Sequence, residues 1–138
     1  NSYALPARNA WAGLGFESVC YAHLPQIKTA LGISGVLTEA YSWSSKGGED
    51  VNAGAQIDLV IDRKDRVVNL IEIKFSSDVF AIDKDYDAVL RNKITAFQSQ
   101  ELSRKSIQLT FITTFGLEIN KYRNTVSRSL SLDDLFAF

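Results

Sequence analysis

The segments Gly54-Ala-Gln-Ile-Asp-Leu-Val-Ile-Asp62 and Leu70-Ile-Glu-Ile-Lys-Phe75 hold the residues best equipped for chemistry in this 138-residue chain. Both read as short β-strands. On a strand successive side chains alternate, so Ile71 and Ile73 point one way and Glu72 and Lys74 the other. An acid and an ammonium group thus share one face. With Asp58 from the neighbouring strand, the acids form an oxygen-only donor set that suits Mg²⁺ or Mn²⁺ and not zinc. Such an ion polarises a phosphate oxygen and acidifies a bound water. Lys74 would orient that water or offset the developing negative charge. Glu17, on an upstream helical run, would add a further ligand directly or through water.

The geometry depends on register. Strict alternation puts Asp58, Val60 and Asp62 on one face, with Ile57, Leu59 and Ile61 on the other. A two-residue turn at Lys64-Asp65 would set Asp58 opposite Ile71 and send the two acids to opposite faces. A three-residue loop, Lys64 to Arg66, sets Asp58 opposite Glu72 and Gln56 opposite Lys74. Asp65 lacks the glycine partner that two-residue turns prefer, which favours the longer loop. Opposed acids would then lie about 5 Å apart at Cβ and would repel unless a cation sat between them.

The surrounding elements follow from periodicity. Residues 1–10 read as an extended lead-in and 11–138 as a single domain. From Trp11 the apolar positions Leu14, Phe16, Val19, Cys20, Leu24, Ile27 and Leu31 keep a helical spacing. Pro25 either kinks that helix or starts a second one after His23, and Gly32 stops it. A strand over 36–43, a polar loop from Ser44 to Gly54, and strands at 56–62 and 66–75 follow. Residues 85–102 carry the stripe Tyr86, Val89, Leu90, Ile94 and Phe97 of a helix. Ser106–Thr114 reads as a strand ended by Gly116, 122–130 as an edge strand, and Ser131–Phe136 as a capped helical turn. A tight turn pairs strands antiparallel, whereas a strand-helix-strand step pairs them parallel. The expected fold is α/β: a mixed sheet with helices on both faces.

Composition narrows the classes. The chain is long enough to bury a core, and 46% of its residues are hydrophobic, which argues against disorder. No apolar run reaches the length of a membrane span. Cys20 is the sole cysteine, so an internal disulfide and a multi-cysteine zinc site are excluded and a reducing, cytoplasmic setting is expected. It reads as a buried small hydrophobe, and His23, the sole histidine, as a packing residue. The net charge of −1 lacks the basic surplus typical of nucleic-acid binders. Bound divalent metal would offset part of the acidic field. The glycines at 47, 48 and 54 form no phosphate loop, because no Gly-Lys-Ser/Thr follows. The absence of methionine is what a segment of a longer polypeptide would show.

Gly15-Phe-Glu17, Gln56-Ile-Asp58 and Glu72-Ile-Lys74, in that order, resemble the PD-(D/E)XK nuclease-like superfamily with its restriction-endonuclease-like fold. More narrowly, the chain resembles the C-terminal domain of a class of bacterial and archaeal AAA+ ATPases. That likeness rests on Phe16–His23, Gln26–Gly32, Ala55–Arg63, Ile71–Ser76, Ile112–Gly116 and Leu132–Phe136. It implies Asp58 and Glu72 as metal-binding acids, Lys74 as catalytic lysine, Glu17 as the helix acid and Gln56 as a substrate contact. It also implies DNA as substrate and an ATPase module preceding this domain. The Gln-x-x-x-Tyr signature of the exonuclease branch is missing; Tyr86 and Lys93 stand on that helix, with Lys93 a candidate substrate contact. Two further readings stay open: a non-catalytic nuclease-fold domain that binds DNA or protein and regulates its ATPase, and a purely structural interaction domain. In the last, aromatics near Trp43 or Phe136–Phe138 would supply the contact surface.

Overall fold

The computed structural model describes residues 4–45, 54–100 and 104–136, and within the first helix side chains from residue 13 onward. Its centre is β3 (Val67–Lys74), buried almost without interruption from Val68 to Ile73. A strand reads that way when both sheet faces are covered. Around it β1 (Thr38–Ser45), β2 (Ala55–Arg63), β4 (Ser106–Thr113) and β5 (Arg128–Ser131) complete a five-stranded sheet in the order β1-β2-β3-β4-β5. The β1–β2 and β2–β3 pairs are antiparallel, and β3–β4 and β4–β5 parallel. The mixed α/β sheet expected from the sequence is therefore present.

Helices cover both faces. On one side α1 (Ala4–Ala22), α2 (Leu24–Ala30) and α4 (Leu132–Leu135) contribute Phe16, Cys20, Ile27 and Leu135 to a core with Leu59, Ile61, Ile71, Ile73 and Ile112. On the other, α3 (Lys84–Gln100) contributes Leu90 and Phe97 to a core with Ile57, Val60, Leu70, Leu109 and Phe111. Trp43 packs edge-on to Phe97 at 5.4 Å, so it belongs to this core. Among the described residues no helix is long and apolar enough to cross a membrane.

Several boundaries differ from the sequence reading. Residues 4–10 are helical, not an extended lead-in. Pro6 falls in the first turn, where its missing N–H is no loss, and the alanines around it are strong helix formers. Of the two outcomes at Pro25, the break is realised: α1 ends at Ala22 and α2 restarts with proline in its first turn. Gly32, at φ 76°, closes α2: its N–H reaches Thr29 O and that of Ile33 reaches Lys28 O, the paired bonds of a Schellman ending. The edge strand expected over 122–130 is a 3-10 turn (Lys121–Thr125) followed by the short β5. Asn120 explains the turn, since its side chain accepts from Tyr122 N and donates to Ile82 O. The Gly47-Gly48 loop and Phe138 lie outside the described residues.

The β2–β3 turn is the three-residue loop. Leu59 pairs with Ile71 and Asp62 with Val68, a register that closes over Lys64, Asp65 and Arg66. Arg66 takes the left-handed conformation (φ 70°) that three-residue hairpins need at their last position. Arg63 clamps the loop through two bonds to Asp65 and one to the buried Asn69.

The candidate metal and phosphate site

Site formation begins where regular pairing stops. Along β1, Tyr41 faces Val60 while Trp43 faces Ile57. Two steps on β1 thus match three on β2, which is a β-bulge at Asp58-Leu59. Strict alternation fails there: Ile57 joins Val60 in the α3-side core, whereas Leu59 and Ile61 face α1. A bulge re-aims a side chain and disrupts the local ladder. The β2–β3 pairing ends at Leu59–Ile71, and the Asp58 carboxylate takes the next β3 donor, Ile73 N, at 2.8 Å. Tyr21 of α1 donates to the Asp58 carbonyl at 2.8 Å. Asp58 is thereby fixed from two elements.

Glu17, Asp58 and Lys74 line one pocket of about 760 Å³, together with Leu14, Phe75 and Ser76. Glu17 and Asp58 lie within hydrogen-bonding reach of each other, and partial burial and the Asp58 charge hold the Glu17 carboxyl above its ordinary value. The Lys74 ammonium opposes the shift and sits 4.9 Å over the Tyr86 ring.

Glu72 is set back from this pocket. It is 1% exposed, and its Oε1 accepts from Lys93 Nζ at 2.6 Å and from Tyr86 Oη at 3.0 Å. Its Oε2 is buried without a partner. Burial pushes the Glu72 carboxyl up despite the opposing pull of Lys93, and the Asp58 charge adds to the rise. Burial and the Glu72 charge raise Tyr86 as well. Tyr86 thus touches both Glu72 and Lys74.

Among the expected site residues, Glu17, Asp58 and Lys74 meet in one pocket, and Glu72 stands behind them within electrostatic reach. Lys93, expected to touch substrate, is committed to Glu72. Gln56 is exposed and pairs with Ser44 of β1; it does not stand opposite Lys74, because the bulge and the end of the β2–β3 ladder intervene. Leu14, Phe75 and the double grip of Tyr86 were missed. Phe75 follows Lys74 directly and was legible as a neighbour, whereas nothing in the sequence links Leu14 to a strand over forty residues away.

Cys20 and His23 play packing parts. Burial pushes the Cys20 thiol up to about 12, which makes it inert at neutral pH. His23 Nδ1 bonds Val19 O, and its ring meets Phe136 edge-on.

Among the described residues no group of three or more His, Cys, Asp and Glu could hold a metal ion. A magnesium-like ion keeps most of its waters and needs only one or two carboxylates. Glu17 and Asp58 form such a pair on one pocket, where their like charges raise the Glu17 carboxyl and a cation would relieve them, and Glu72, whose Oε2 has no partner, lies within electrostatic reach. In donor chemistry these residues fit a hard divalent cation.

No protein-family model and no curated protein matches this sequence. The fold is similar to the crystal structure of AF1548, a protein of unknown function, with TM-score 0.55 and 16% identity. The match covers 85% of this chain and 64% of that one, so this chain corresponds to somewhat under two thirds of that protein's length. The class defined is an α/β protein built on a five-stranded mixed sheet with helices on both faces.

Proposed function

We propose that this chain is a restriction-endonuclease-like domain of PD-(D/E)XK type that hydrolyses DNA phosphodiester bonds with Mg²⁺ or Mn²⁺. In this reading it acts in the cytoplasm, C-terminal to an AAA+ ATPase module. The observation that carries the nuclease reading is the convergence of Glu17, Asp58 and Lys74 on one pocket from a helix and two strands. The sequence resemblance and the mixed sheet support it.

Glu17 and Asp58 would hold the cation, with Glu72 completing the acidic set. When bound, the ion supplies Lewis acidity toward a phosphate oxygen and a more acidic water. Lys74 orients the attacking water and offsets charge on the phosphorane-like transition state. Tyr86 steadies Glu72 through its hydroxyl and Lys74 through its ring, while Lys93 fixes the far side of Glu72.

The test is cleavage of plasmid and oligonucleotide DNA with Mn²⁺ by wild type, Glu72→Ala and Lys74→Ala. Loss of cleavage in both variants, with circular dichroism unchanged, is the expected result. Equal nicking by all three proteins would overturn the assignment.

The second reading, a non-catalytic nuclease-fold domain regulating its ATPase, has one specific observation in its favour. Glu72 is already occupied on one oxygen by Lys93 and Tyr86, as a purely structural ion pair would be. Calorimetric titration with Mn²⁺ separates the two, since absence of binding at millimolar metal selects the second.

A further inference from the structure

We infer that the pocket takes an unpaired nucleotide of a single DNA strand, with Phe75 as the surface on which its base stacks. This deepens the nuclease reading and rests on it.

The first observation is where exposed apolar side chains collect. Phe75, 41% exposed, and Leu14, 61% exposed, both line the pocket that holds Glu17, Asp58 and Lys74. Lys74 is in register with Thr113, so Phe75 and the 58% exposed Phe115 leave the sheet at the same end. Ser76 N donates to Thr114 Oγ1 at 3.1 Å and ties the two exits together. Val79 and Ile119 are exposed on the loops that follow. This is the C-terminal edge of the parallel strands, where open α/β sheets seat their ligands. Phe75 is anchored by an edge-on contact with Phe16 at 6.3 Å, while its ring remains partly open to solvent.

The second observation is charge. Binding an intact duplex draws chiefly on lysines and arginines that neutralise phosphates. Here net charge is −1, and several cations are already engaged: Lys93 with Glu72, Lys105 with Asp62, Arg91 with Asp87 and Arg63 with Asp65. Lys74 is the cation at the pocket. A site with one ammonium, a cation-binding acid pair and an open aromatic ring matches a single phosphodiester with a splayed base. Base–aromatic stacking then supplies affinity that a phosphate track would otherwise give. In a paired duplex both faces of each internal base are covered by neighbours, so Phe75 would gain nothing.

The experiment is fluorescence anisotropy with Ca²⁺ replacing Mg²⁺, using a labelled single-stranded oligonucleotide, its blunt duplex, and the same single strand with abasic sites. Wild type should bind the single strand at least about tenfold tighter than the duplex. Phe75→Ala should weaken single-strand binding by about 5- to 150-fold, the range measured for loss of one stacked base. Phe75→Trp, which keeps a stacking surface, should retain it. The abasic strand should bind wild type weakly and be indifferent to Phe75→Ala. If duplex and single strand bind alike and Phe75→Ala changes neither, while Glu72-dependent cleavage persists, stacking is overturned and the nuclease reading stands. If Phe75→Ala weakens the abasic strand equally, the lost contact is not to a base and the inference fails. If no DNA form binds and none is cleaved, the nuclease reading falls and takes this inference with it.

Discussion

Replacing Lys93 by methionine isolates the interaction that holds Glu72 in place. The pair is short, 2.6 Å, with the Glu72 side chain 1% and the Lys93 side chain 17% exposed. Methionine keeps the apolar stem and deletes the ammonium, leaving Tyr86 as the remaining hydrogen-bond partner of Glu72. Removing one partner of a buried ion pair typically costs about 3–5 kcal/mol. Lys93 retains some water contact and Glu72 can escape by taking up a proton, so the lower end, about 3 kcal/mol at neutral pH, is expected. Urea unfolding measures it as a shift in midpoint at constant slope. The double variant Glu72→Gln/Lys93→Met replaces the pair by neutral groups and should return to within about 1 kcal/mol of wild type. The pH dependence has a definite sign. Burial already raises the Glu72 carboxyl and Lys93 pulls it down, so without Lys93 it rises further. Between the unfolded value and that higher folded value, the native state holds a proton the unfolded chain has lost. Stability of Lys93→Met therefore falls as pH rises through this window, and its deficit against wild type is smallest near the ordinary carboxyl pKa of about 4.3. A loss below about 1 kcal/mol, or a deficit independent of pH, would refute the buried-pair account.

Two other perturbations follow from the same structure. Glu17 is held above its ordinary value by burial and by Asp58, so its contribution to stability is lost as pH rises from the unfolded value through the folded one; Glu17→Gln should flatten that part of the wild-type profile of melting temperature against pH, and parallel profiles would count against a raised Glu17 carboxyl. Gly32 closes α2 at φ 76° with open space around its Cβ position, so Gly32→Ala should cost about 1 kcal/mol from backbone strain alone, read by urea denaturation; no loss would show that the turn can adopt another form.

How much was legible depended on which physical signal carried each feature. The β2–β3 register followed from a local rule, since Asp65 without a following glycine disfavours the two-residue turn at Lys64-Asp65, and Arg66 accepts the left-handed position of the longer loop. The bulge at Asp58-Leu59 left almost no trace. Ile57, Leu59, Val60 and Ile61 are all apolar, and each finds a core on whichever face it meets, so hydrophobic pattern alone could not report the change of parity. On α3, Tyr86 and Lys93 are seven residues apart, two helical turns, and hence share a face. That spacing was visible. The reading of Lys93 as a substrate contact came from its place on the helix where the exonuclease branch carries its signature, whereas a buried carboxylate on the adjacent β3 takes its ammonium.

Glu72 also bears on which functional reading the molecule favours. Its two oxygens have different fates: Oε1 is fixed by two donors from α3, while Oε2 is buried and bonded to nothing in the protein. An acceptor left in that condition costs on the order of 1–3 kcal/mol. A side chain chosen for stability alone would spread its donors over both oxygens or would be glutamine or an aliphatic residue. Holding one oxygen rigidly while leaving the other bare is the arrangement that suits an external partner, because the carboxylate cannot turn away to satisfy itself elsewhere. Asp58 is held in a comparable way, with one oxygen fixed to the Ile73 amide. Two acids, each pinned through one oxygen by its own neighbours, are pre-oriented for a further, external charge. That asymmetry favours the catalytic reading over the structural one, and Mn²⁺ binding that disappears in Asp58→Asn while surviving in Gln56→Ala would carry it further.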